Sequence, residues 1–338
     1  MRKAYQSSMP SSLQPGNSDH LVTARGGKIS SSGDEAAFVH VAPRNSPVPV
    51  LIAVPHAGRA YPGEILAELR DPELAQLRLE DRHVDAIGVE IAKATDTGLL
   101  VARAPRALLD LNRAQDDVDW EMVEGPKVHS AKQQPHLTGS NARARSGLGL
   151  VPRRLPGFGE IWRSRLPREE LDRRIHAIHR PYHAFLEREL EQIRMDWGAA
   201  LLIDLHSMPP LNRQKTGRKS WGADAGKAPQ IVLGDRFGAS CHSSLVARAF
   251  RYFEAQACEA AHNRPYSGGY VLDRHASPSR GIHCLQIELC RSTYLDASLS
   301  EPTDAVKPLA AMLAGLVREL GAETARIANS AHIRQAAE

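Results

Sequence analysis

From about residue 48 onward, apolar runs alternate with amphipathic stretches. Two apolar runs, residues 48–54 and 199–205, each break off at a histidine: Pro55-His56-Ala57-Gly58 follows the first and His206-Ser207-Met208-Pro209 the second. Neither run alternates with polar residues, which predicts strands of a parallel sheet covered on both faces. Residues 81–95 place Val84, Ile87 and Ile91 at helical spacing. Residues 167–197 do the same through Leu171, Ile175, Ile178, Phe185, Leu186 and Leu190, with Pro181 expected to kink the helix. Two further helices are predicted over 244–257 and 303–327. Residues 99–104, 107–111 and 230–234 are apolar and extended in character. Residues 283–290 alternate, with Leu285, Ile287 and Leu289 on one face and Gln286 and Glu288 on the other. The polar stretch around 114–165 is long for a loop in a compact domain and predicts an active-site insertion. This order of elements predicts one α/β domain over residues 43–330 with a mostly parallel or mixed sheet.

Composition changes this picture little. Of 338 residues, 42% are hydrophobic and 24% charged, ordinary for a globular protein. The net charge of +4 is too mild to argue for nucleic acid and suits a small anionic substrate. No apolar run approaches the ~20 residues of a membrane span. Cys241, Cys258, Cys284 and Cys290 contain no C-x-x-C pair and read as reduced thiols of a cytoplasmic protein. Residues 1–42 are rich in Ser, Pro and Gly and lack the apolar stretch of a secretory signal, so they are expected to form a flexible tail. The oligomeric state is left open.

Ligand sites in open α/β sheets form at the carboxyl ends of strands, so two imidazoles delivered there resemble half of a metal site. Asp204 lies two positions before His206, points the same way along an extended strand, and could orient its ring. The third ligand must come from elsewhere: Asp81, Glu80 and Asp85 are all candidates, against the simpler reading of Asp81 as a helix N-cap. Glu288 is either a solvent-facing residue on a half-exposed strand or, if its face lines a cavity, a general acid/base. Asn112 and Arg113 follow an apolar run, and arginine grips carboxylates through paired hydrogen bonds; Arg103 and Arg106 lie just upstream. The turn containing Tyr266, Gly268 and Gly269 is a candidate for backbone closing over a ligand. Few aromatics interleave with the arginines of the insertion, which favours a solvated or substrate-facing loop over nucleic-acid binding. Ser207 lacks the G-x-S-x-G context of a nucleophile.

Several segments, taken together and in this order, resemble the N-formylglutamate amidohydrolase family. They are Val54-Pro55-His56-Ala57-Gly58 with Tyr61-Pro62; Glu80-Asp81-Arg82-His83-Val84-Asp85; Asp110-Leu111-Asn112-Arg113; Gly147-Leu148-Gly149 with Val151-Pro152; Pro181-Tyr182-His183; Asp204-Leu205-His206-Ser207-Met208-Pro209; the turn over 263–269; and Gln286-Ile287-Glu288-Leu289. The resemblance implies a zinc carboxypeptidase-like fold of three layers, with helices flanking a mixed, mostly parallel sheet. It also implies one metal ion per chain, usually Zn2+ with another divalent metal as the alternative, and hydrolysis of a linear amide in an N-acyl amino acid, most readily N-formyl-L-glutamate. It implies His56, Asp81 and His206 as metal ligands, Glu288 as general base, and Asn112-Arg113 as the grip on the substrate carboxylate; Arg103 or Arg106 is the expected oxyanion partner in a mechanism built on that set. Arg82 and His275-Ala276 depart from the family pattern at places expected to lie near the substrate.

Overall fold

The computed structural model describes residues 20–125, 140–211 and 228–335. Residues 1–19 of the expected tail and 126–139 of the expected insertion lie outside them. The strands are β1 (Leu21–Gly26), β2 (Phe38–Pro43), β3 (Val50–Val54), β4 (Gly98–Ala102), β5 (Arg154–Leu155), β6 (Gly159–Glu160), β7 (Ala200–Met208), β8 (Ile231–Gly234), β9 (Ala260–His262) and β10 (Ile282–Cys290). The helices are α1 (Gly63–Glu68), α2 (Pro72–Leu79), α3 (Val84–Thr95), α4 (Ser140–Arg145), α5 (Arg168–Arg174), α6 (Arg180–Trp197), α7 (Ser243–Ala255), α8 (Tyr270–His275) and α9 (Val306–Gln335).

Among the described residues, eight strands form one mixed sheet in the order β1-β2-β4-β3-β7-β10-β8-β9. Its centre, β4-β3-β7-β10, is parallel throughout. These strands are buried along their whole length, which is why their sequences read as apolar runs. Alternation divides the side chains between two cores. Ile52, Leu201, Ile203, Leu205, Leu285, Ile287 and Leu289 face one side, where residues of α3, α7 and α9 cover them. Leu51, Ala53, Ala200, Leu202 and Cys284 face the other, where α6 and the segment after Leu111 pack. On this second face the pattern turns polar toward the strand ends, at Asp204 and His206 on β7 and at Gln286 and Glu288 on β10. The parallel register sets Gln286 against Asp204 and Glu288 against His206, so four polar groups share one patch of sheet.

Several expectations are corrected. The flexible tail does not reach residue 42. β1 pairs with β2 and β2 with β4, and Phe38 and Val39 are buried, so residues 21–43 extend the sheet. Residues 107–111 form turns rather than a strand, because Asp110 draws the chain back toward His56. β7 runs on to Met208, so His206 lies inside the strand rather than at its end. The predicted 167–197 helix is broken by a wide π-type turn over Ile175–His179. Pro181 follows that turn in a backbone that stays helical, and the Ala177 carbonyl that its missing N–H cannot reach accepts from the Lys28 N–H at 2.8 Å instead. Much of the polar insertion is core, with Val118, Met122, Leu150, Ile161 and Trp162 buried. No described helix is long and apolar enough to cross a membrane.

Gly58 ends the corner after β3, where its Cα passes against the Ala104 carbonyl. A Cβ there would overlap that backbone atom, and neither partner can turn aside. Gly58→Ala is therefore expected to cost about 1–3 kcal/mol of stability, read as a lowered urea midpoint, because overpacking forces a backbone shift.

Candidate active site

His56 stands two residues beyond β3. Asp81 is tied to it through the backbone, its N–H donating to the His56 carbonyl at 2.9 Å. Asp81 is not a helix cap: α3 starts at Val84, after His83 turns the chain at φ 60°. His56, Asp81 and His206 are all buried, and one ligand atom from each lies within 4.8 Å of the other two. The Nδ1 atoms of His206 and His56 stand 3.1 and 3.6 Å from the same Asp81 oxygen. The far nitrogen of each ring is held by a carboxylate: His206 Nε2 by Asp204 at 2.9 Å and His56 Nε2 by Asp110 at 2.7 Å. Such partners fix the tautomer and aim the other nitrogen at a common point. Glu80 and Asp85 face elsewhere, paired with Arg82 at 3.2 Å and Arg59 at 2.7 Å respectively.

The electrostatics mark a place for positive charge. Burial opposes the His206 imidazolium, yet Asp204, Asp81 and Glu288 outweigh it and hold the ring well above its ordinary pKa. Burial likewise opposes the Asp81 carboxylate, and hydrogen bonds to His206 and His56 overcome it. Two imidazoles and a carboxylate, with a carboxylate behind each ring, are a donor set that fits a divalent cation such as zinc.

Glu288 is buried beside this group and lines the same cavity, so it is not a solvent-facing strand residue. Burial pushes its carboxyl up to about 7. Gln286 Nε2 donates to its Oε1 at 2.8 Å. The cavity holds about 350 Å³. Arginines 78, 106, 113, 143, 236 and 291 line it, together with Tyr266, Gly268 and Gly269. Gly269 passes so close to Asn112 that a Cβ would stand 2.5 Å from its Oδ1.

The other expected residues divide. Arg106 is in the cavity wall, its Nε donating to Asp110 at 2.8 Å. Arg113 also lines the cavity, its Nε and Nη1 donating to the carbonyls of Leu148 and Asn112. Asn112 is partly committed to the fold: its Oδ1 accepts from the Val271 N–H that opens α8, and its Nδ2 donates to Gln286 at 3.4 Å. Arg103 is a correction. Its guanidinium pairs with Glu35 at 2.7 Å, outside the cavity, because the unexpected β2 brings the segment before it alongside β4. Two participants escaped the sequence reading. Asp110 holds both His56 and Arg106, across 54 residues in the first case. Arg291, just past β10, donates to Asp81 Oδ1 at 3.2 Å and to Ser207 Oγ at 3.1 Å. The arginine's position directly after an apolar strand was the available signal.

The model of the N-formylglutamate amidohydrolase family matches residues 48–295. The N-formylglutamate deformylase of Pseudomonas putida is 30% identical over 275 residues, covering 77% of this chain and 89% of that protein. The deformylase of Pseudomonas aeruginosa is 29% identical over 279 residues, covering 77% and 90%. The crystal structure of N-formylglutamate amidohydrolase from Ralstonia eutropha superposes with a TM-score of 0.68 at 29% identity, covering 89% of this chain and 99% of its own. The match spans His56, Asp81, His206 and Glu288, and this chain belongs to the N-formylglutamate amidohydrolase family, hydrolases that act on an amide.

Proposed function

We propose that this protein hydrolyses N-formyl-L-glutamate to formate and glutamate, with a zinc ion held by His56, Asp81 and His206. The observation that carries this reading is the position of Glu288, register partner of His206, in an arginine-lined cavity that also contains the three ligand side chains. A bound divalent cation supplies Lewis-acid polarisation of the formyl carbonyl and makes water a better acid. The chain's own residues supply the rest. Glu288 takes a proton from the attacking water and passes it to the departing amine nitrogen. Arg106, fixed by Asp110, donates to the oxyanion that develops on the carbonyl oxygen. Arg113 keeps one guanidinium nitrogen, Nη2, without a protein acceptor among the described residues, and offers it to the amino-acid carboxylate. Its reach fixes the formyl carbon over the reacting groups. The excess of arginine over acid in the cavity wall suits a substrate with two carboxylates.

The direct test is formate release from N-formyl-L-glutamate by the purified protein, with elemental analysis of the same sample. Near one zinc per chain is expected, as is loss of activity on chelation and its return with zinc. N-acetyl- and N-succinyl-L-glutamate, and formyl amino acids with neutral side chains, are expected to be poorer substrates by about tenfold or more in kcat/KM, since each leaves a polar group unpaired or overfills the site. A clear preference for one of those acyl groups would replace N-formylglutamate as the substrate.

A further inference from the structure

Behind the cavity wall lies a group of buried histidines that the chemistry above does not use. His179 and His183 stand one turn apart at the π-turn and α6, and His275 closes α8. Their rings are in contact, with centroids 4.3 Å apart for His179–His183 and 5.2 Å for His183–His275. Two of them face one short loop, and His275 stands behind His183. His183 Nε2 is 3.0 Å from the Leu111 carbonyl, and His179 Nε2 is 2.9 Å from the Arg113 carbonyl. His275 Nε2 is 2.9 Å from His183 Nδ1. The Asn112 carbonyl between them accepts from Arg113 Nη1 at 2.9 Å. Every carbonyl of residues 111–113 is thus held by a side-chain donor.

A carbonyl only accepts, so His183 must carry its proton on Nε2. Its Nδ1 is then a lone pair, which accepts from the Nε2–H of His275. Burial keeps the rings neutral: it holds His183 well below the ordinary histidine range and lowers His275 to about 3 and His179 to about 4. Removing His275 would leave the buried Nδ1 lone pair of His183 without a donor, while the Leu111 carbonyl still holds the proton on Nε2.

Resting on the function proposed above, we propose that His275, through His183 and alongside His179, is a positioning device that fixes the 111–113 loop and so aims Arg113 at the substrate's α-carboxylate. None of the three touches the reacting atoms.

The test combines kinetics with 15N-histidine NMR of the whole protein. Wild type shows His183 protonated on Nε2 alone. In His275→Leu the His183 Nδ1 resonance shifts as its lone pair loses the donor, while the proton stays on Nε2. KM for N-formyl-L-glutamate rises about 10–100-fold while kcat and metal content hold, because a displaced grip weakens binding. The rise is absent for the α-carboxamide analogue of the substrate, and His275→Gln, whose amide can still donate, restores KM. His179→Leu removes the donor to Arg113 independently and gives the same carboxylate-selective rise, which keeps the test valid if His275→Leu does not fold. An unchanged KM, or equal losses on the acid and its α-amide, overturns the proposal. A wild type inactive on N-formyl-L-glutamate overturns the function above instead, and the His183 Nδ1 shift in His275→Leu still decides whether the hydrogen bond from His275 exists.

Discussion

Glu288→Gln is expected to keep its fold and its metal and to lose about 10²–10⁴-fold in kcat, the usual contribution of a positioned base. The substitution preserves shape. Glu288 is buried, and its Oε1 accepts from Gln286 Nε2 at 2.8 Å, a bond that a glutamine carbonyl can accept equally well. What disappears is the basic oxygen. A carboxylate can take a proton from water and release it to nitrogen; an amide at this position can do neither. Elemental analysis beside the formate assay separates the two ways of losing activity. A zinc-replete, inactive variant supports the base role, whereas a Glu288→Gln enzyme within a few-fold of wild type would remove Glu288 from the chemistry. Glu288→Asp keeps the base but withdraws it by one methylene, so its rate should fall between the two.

The sequence disclosed the centre of the site better than its frame. A single histidine where an apolar run breaks off is often structural, but the pair pointed to one site, and the fold brings them together with His56 two residues past β3 and His206 inside β7. The two-residue alternation of Asp204 with His206, and of Gln286 with Glu288, carried more information than the strand reading drew from it. Once β7 and β10 lie side by side and parallel, both pairs must share a face. That adjacency is tertiary and leaves no local trace. The same holds for Asp110, whose motif announces a turn but not the distant imidazole it bonds. β1 and β2 were hidden for a different reason: their short alternating runs sit between stretches rich in Ser, Pro and Gly, and composition outweighed pattern. Arg103 was misplaced in consequence, since its partner Glu35 precedes that unexpected strand.

Removing the proposed metal ligands and removing their supports should have effects of different size. In His206→Ala one of three donor side chains is gone, and the two that remain, His56 and Asp81, cannot close a zinc site. The variant is expected to purify with little or no zinc and without measurable turnover; retention of one zinc per chain would break the ligand assignment. Asp204→Asn leaves every ligand in place. The introduced amide can still accept from His206 Nε2 through its carbonyl, but it carries no charge, so the ring becomes a weaker donor and is free to turn. Loss of such a partner typically weakens metal binding about 10–100-fold. The variant should therefore load zinc at high concentration and release it to a chelator that wild type resists. Asp110→Asn removes the corresponding charge behind His56 and also the partner of Arg106, whose Nε bonds the same carboxylate. Its deficit should accordingly persist in part at saturating zinc, as a lowered kcat, while that of Asp204→Asn should vanish. Titrating zinc into both variants measures the difference: full recovery of Asp110→Asn would mean that Arg106 acts without its anchor or does not act at all.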